Sequence, residues 1–171
     1  MKLLIDTNII LDFMLQRDGF YETALQLLTT QSEHSVEMIS ASAVTDIHYT
    51  TVKGLKKAGQ VKTEAEASML AQEQLSRLIN LVNVVPVDRN VIAHALELEW
   101  VDFEDAVQYS VALENGADYI VTRDSRGYAL SAIPVVSARD IVAMLSPEAN
   151  DVDSTIETAP LEKNEQERTS P

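Results

Sequence analysis

The chain has 171 residues, 46% of them hydrophobic, with no cysteine and a formal charge of −14 from 27 acidic against 13 basic residues. That length and apolar fraction suit one compact domain with a sizeable core, and the lack of thiols excludes a disulfide framework, a thiolate nucleophile and any Cys-based zinc or iron–sulfur site. No apolar run approaches the roughly 18 residues of a membrane span, and Met1-Lys2 leads straight into strand-like sequence without a signal-peptide leader, so the expectation is a cytoplasmic protein with no membrane partner.

In chain order, residues 2–5 read as a strand, and 9–15 and 21–29 as helices on either side of the turn Arg17-Asp18-Gly19. Residues 36–39 read as a second strand, followed by Ser40 or Ser42 as the N-cap of a helix that runs to about Lys57. A longer helix is expected over 63–79, a strand over 83–87, and helices over 90–99 and 103–114, the latter stopped by Asn115-Gly116. Residues 119–122 and 135–136 are the last strands and 138–145 a closing helix. Strands alternating with helices predict an α/β fold with a parallel sheet and right-handed crossovers. Residues 146–171 combine three prolines with seven acids and almost no large apolar side chain. Such a composition cannot offset its ordering entropy. The division is therefore a folded domain over 1–145 and an acidic tail, expected to be disordered, over 146–171.

Four short segments each deliver an aspartate: LLIDTN (Asp6), SAVTDIHY (Asp46), DFEDAVQY (Asp105) and YIVTRD (Asp124). Asp6 and Asp124 directly follow strand-like runs, and ligands of open α/β sheets bind at the carboxyl ends of the strands. Each has a plainer reading. Asp6 and Asp124 suit a cap or turn; Asp46 suits a solvated helix face; and Asp102, Glu104 and Asp105 together suit an acid-capped helix start, which sequence alone does not divide. Gathered in one place, the four carboxylates would repel one another unless a cation or protons neutralised them. Oxygen-only ligands favour Mg²⁺ or Mn²⁺ over zinc.

Other chemistry is sparse. Asp6-Thr7-Asn8 lacks the second aspartate of a haloacid-dehalogenase site, and no phosphate-binding glycine loop or nucleophile elbow is present. His34, His48 and His94 are scattered, and Trp100 suits a helix junction. Lys53, Lys56, Lys57 and Lys62 follow Asp46, either as a solvated helix end or as contacts for a phosphate backbone.

LLIDTNIILD, ISASAVTDIHY and DFEDAVQYSVALENGADYIVTRD, in that order and spacing, resemble the PIN-domain family over residues 1 to about 145, in the bacterial branch related to VapC-type toxins. The resemblance implies a Rossmann-like three-layer sandwich with a five-stranded parallel sheet, and a Mg²⁺- or Mn²⁺-dependent ribonuclease acting on RNA. It implies Asp6 and Asp105 as metal ligands, Asp46 and Asp124 as the second acidic pair, and Asn8 and Thr122 as residues orienting them. Many PIN nucleases carry Glu where this chain has the shorter Asp46, so its place in the shell is direct or water-mediated. A toxin role would bring a small antitoxin partner, and homodimerisation is a family habit for which the apolar stripe of the 63–79 helix is a surface or, equally, a core face. The other reading is a PIN-fold RNA- or protein-binding regulatory module with little catalysis.

Overall fold

The structure, a computed structural model, describes residues 1–30 and 35–146. Five parallel strands lie in the order β3-β2-β1-β4-β5, with β1 at Lys2–Ile5, β2 at Val36–Ser40, β3 at Asn83–Val85, β4 at Tyr119–Val121 and β5 at Val135–Val136. The helices are α1 (Thr7–Met14), α2 (Tyr21–Thr29), α3 (Ala41–Lys57), α4 (Glu64–Leu78), α5 (Arg89–Glu97), α6 (Phe103–Glu114) and α7 (Ala138–Leu145). This is the α/β sheet that the sequence predicts.

The unbroken apolar run of β1 follows from burial on both faces. Leu3 and Ile5 point into a core with Ile9, Ile10, Leu27, Ile39, Val121 and Ile141, while Leu4 points the other way, to Val91, Ala106, Val111 and Ile120. The sheet is thus the middle of three layers. A smaller cluster of Val52, Leu55, Ala67 and Ala71 joins α3 to α4, so the apolar stripe of α4 is a core face within the chain.

Helix limits follow local chemistry. Ser40, not Ser42, caps α3 by accepting from the Ser42 N–H; Thr63 and Glu66 form a reciprocal capping box at α4. At the end of α6, Gly116 takes φ +63°, and the Ala117 and Gly116 N–H groups donate to Ala112 and Leu113 carbonyls, the closure that a residue without Cβ allows most cheaply. Helix α1 begins at Thr7, two residues earlier than its apolar pattern suggests, because the chain turns directly after β1 with Asp6 at the N-cap position. The acidic-tail expectation, apart from Ser146, and His34 lie outside the described residues.

Candidate active site at the ends of β1 and β4

In the order 3-2-1-4-5 the crossovers change direction between β1 and β4, which opens a crevice beyond their carboxyl ends. Register pairs Ile5 with Val121, and the Asp6 N–H donates to the Val121 carbonyl at 3.0 Å. Asp6 and Thr122 are therefore neighbours because the sheet holds them so.

Asp6 is buried, and its carboxylate makes no capping bond to α1. Oδ2 accepts from Thr122 Oγ1 at 2.6 Å and from the Asn8 amide, and Oδ1 accepts from Gln108 Nε2 at 3.2 Å. Thr122 Oγ1 in turn accepts from Asn8 Nδ2 at 2.8 Å and from the Asp124 N–H at 3.0 Å, and Asn8 Oδ1 accepts from the Arg123 N–H at 3.2 Å. Burial raises the pKa of Asp6, against the lowering effect of hydrogen bonds from Thr122, Gln108 and the nearby backbone of Asn8 and Thr7. Three side chains thus fix the orientation of the Asp6 carboxylate.

The three acids at the start of α6 separate cleanly. Asp102 is the cap, accepting from the N–H groups of Glu104 and Asp105. Freed from capping, Glu104 accepts from Thr7 Oγ1 at 2.8 Å. Asp105 packs on Gly127 so closely that a Cβ there would stand 2.1 Å from its Oδ2. Burial first, then the charges of Asp102, Asp6 and Glu104, push the Asp105 carboxyl up to about 7. Burial also raises Glu104, aided by the charges of Asp46, Asp6 and Asp102, and raises Tyr128, aided by Asp6 and Asp105.

Asp46 and Asp124 sit at the rim and are exposed. Asp124 Oδ1 accepts from the Arg126 N–H at 3.1 Å and lies 3.3 Å from its Nε, so it performs the turn-stabilising role that sequence offered as its plainer reading. It still lines, with Asp105, Trp100 and Gly127, a cleft of about 560 Å³. Among the described residues no group of three Asp, Glu or His side chains is arranged to hold a metal ion. Asp6, Glu104 and Asp105 interact electrostatically, and Asp46 reaches the group through Glu104.

The family model of the PIN domain matches residues 2–126. The chain belongs to the PIN-domain family. Among relatives of this PIN chain, Ribonuclease VapC1 of Aquifex aeolicus (strain VF5) is 22% identical over 133 residues, 74% of this chain and 84% of that protein. The fold is also that of two solved structures. VapBC2 of Rickettsia felis, bound to a DNA fragment from their promoter, gives a TM-score of 0.57 at 14% identity over 80% of this chain and 98% of that one. VapC20 of Mycobacterium tuberculosis, a Sarcin-Ricin loop cleaving toxin, gives 0.56 at 19% identity over 75% and 94%.

The side chains around the crevice offer oxygen donors only, the chemistry that a hard ion such as Mg²⁺ takes. Gln108 Oε1, on the side chain whose Nε2 donates to Asp6, is buried without a hydrogen-bond partner among the described residues, while the Tyr128 hydroxyl is directed at the Asp105 carboxyl. A buried orphan such as Gln108 Oε1 calls for a water or ion partner. Sequence reasoning passed over Gln108, Gly127 and Tyr128. It also passed over Asp12, buried in α1, which holds Arg123 Nε at 2.9 Å and Arg17 Nη1 at 3.2 Å. The one available signal was a charged residue, Asp12, inside an apolar helix pattern. The two described histidines are engaged elsewhere: His48 pairs with Ser68 and His94 with Ser110. Trp100 stacks on Tyr109 at 4.9 Å, a packing role.

Proposed function

We propose that this protein is a Mg²⁺- or Mn²⁺-dependent endoribonuclease of the VapC-like kind. The observation that carries the reading is Asp6. It is a buried carboxylate at a strand end that makes no cap, is fixed by three side chains, and lies near a second carboxylate, Asp105, that its charge helps to keep protonated. Asp6 and Asp105 would hold the ion, with Glu104 and Asp46 reaching it through water and Asp124 shaping the cleft wall. An ion so held supplies an activated water and stabilises charge on the phosphate being cleaved. Thr122, Asn8 and Gln108 hold the Asp6 carboxylate in a single orientation, which is the preorganisation such a step needs. Near neutral pH the proton on the Asp105 carboxyl must leave before it can ligate, so ion affinity should rise as pH increases through about 7.

The likeness to VapC1 and to the VapBC2 assembly supports a toxin whose partner is a small antitoxin covering the cleft. The lack of a direct three-carboxylate cage among the described residues favours a second reading, a PIN-fold binding module with little catalysis. Incubation of the intact chain with a mixed RNA pool separates the two. Fragmentation in Mg²⁺ or Mn²⁺ that stops on chelation is expected, and intact RNA under all conditions leaves the binding module.

A further inference from the structure

Residues 47–63 carry four lysines and no acid, in a chain whose net charge is −14. Most of them lie on α3, whose faces are unequally used. Ala43, Ile47 and Thr51 are buried, Val52 and Leu55 pack on Ala67 and Ala71 of α4, and His48 Nε2 meets Ser68 Oγ at 3.3 Å. Asp46, Lys53 and Lys57, at spacings of seven and four residues, fall on one exposed stripe beside which Tyr49 projects. Tyr49 is 59% exposed, and Lys53 Nζ stands 4.0 Å from its ring centroid. Lys56 is engaged by Glu64 at 3.2 Å, whereas Lys53 and Lys57 make no ion pair among the described residues.

The stripe starts at the acidic crevice, since the charge of Asp46 bears on Glu104. From Asp46 to Lys57 it covers about 16 Å of helix, enough for a few extended nucleotides. We propose that this stripe is the track for single-stranded RNA flanking the scissile phosphate, with Tyr49 stacking a base and Lys53 and Lys57 meeting backbone phosphates. An exposed aromatic set among unpaired lysines is how single strands are held without sequence readout. A docked protein would instead cover a contiguous apolar patch, and Tyr49 is the sole exposed large hydrophobic on α3. The track also gives an acidic protein a place where a polyanion can approach. It rests on the ribonuclease reading for its substrate class.

The test is fluorescence anisotropy of a labelled phosphorothioate RNA decamer, which resists hydrolysis, with the full chain in Mg²⁺ over a range of salt. Tyr49→Ala and the pair Lys53→Gln/Lys57→Gln are each expected to weaken binding about tenfold; the lysine pair should also flatten the plot of log affinity against log salt by about 1.4. Lys53→Arg/Lys57→Arg should restore both, and thermal melting should be unchanged throughout. Affinity and slope indifferent to these substitutions overturn the track, as does failure of the unsubstituted protein to bind the decamer. So does a dimer that dissociates on Tyr49→Ala while RNA affinity stays constant, since the face would then join two copies. Cleavage of ordinary RNA is scored separately. A chain that cleaves but ignores the substitutions keeps the nuclease and loses the track; one that binds through these residues without cleaving keeps the track and loses the nuclease.

Discussion

Asp6 and Asp124 look alike in sequence, each directly or closely following a strand of the central pair, yet the structure gives them opposite surroundings. Asp6 is 5% exposed and its oxygens are fixed by Thr122, Asn8 and Gln108. Asp124 is exposed and occupied by Arg126. The difference arises from position along the chain: Asp6 directly follows β1 and its N–H still pairs with the Val121 carbonyl, whereas Asp124 lies three residues past the end of β4, in an exposed turn. A carboxylate held ionisable in a buried, hydrogen-bonded setting is costly to the fold, and such settings cluster where charge is used. A carboxylate in a solvated turn costs little and shapes its loop.

The contrast can be broken by substitution. Asp6→Asn and Asp105→Asn should each lower metal-dependent RNA cleavage by about 10³-fold or more while circular dichroism shows an intact fold. Gly127→Ala comes next. Its new Cβ would collide with Asp105 Oδ2, and displacing a ligand by about 1 Å should cost about 10²-fold in cleavage rate with the melting temperature little changed. Asp124→Asn keeps the turn's oxygen acceptor and should cost less than about tenfold, a ratio that steady-state rates on one RNA would give directly.

The smallest effect is one of stability and concerns the metal-free protein. The Asp105 carboxyl is raised from 3.8 to about 7 on folding, so the native state binds more protons than the unfolded chain between those values. Stability in chelator should therefore fall as pH rises from about 4 to about 7 and be flat above that. Because the group is only half-buried, the loss is about 1–2 kcal/mol after solvent screening. Denaturant melts of Asp105→Asn at pH 8 should show that much gain over the parent, and a loss instead would mean that the carboxylate is a structural group.

Much of this was legible from the residues. The unbroken apolar run of Leu3, Leu4 and Ile5 announces a strand buried on both faces, and α6 has the limits its cap and glycine stop dictate. Position after a strand put Asp6 among the candidates without separating it from Asp124, and its rank as a ligand came only from the family resemblance. Sequence could not divide Asp102, Glu104 and Asp105, because the division depends on which one caps α6 and which way the helix rolls against the sheet. Gln108 and Tyr128 were invisible for the same reason: nothing local marks a helical Gln as the partner of a carboxylate 102 positions away. Gly127 read as an ordinary loop glycine, and only the approach of Asp105 gives it a role. The RNA-track proposal likewise needed the structure, which shows Lys53 over Tyr49 and Lys56 already paired.

The central claim is that buried Asp6, rather than any exposed acid, anchors a metal-dependent nuclease. The most direct measurement is the rate of single-stranded RNA cleavage by the parent, Asp6→Asn and Asp124→Asn across a Mg²⁺ titration. The account predicts saturable, Mg²⁺-dependent cleavage by the parent and by Asp124→Asn, and none above background by Asp6→Asn. Cleavage that persists in Asp6→Asn, or that is lost in Asp124→Asn alone, would contradict it.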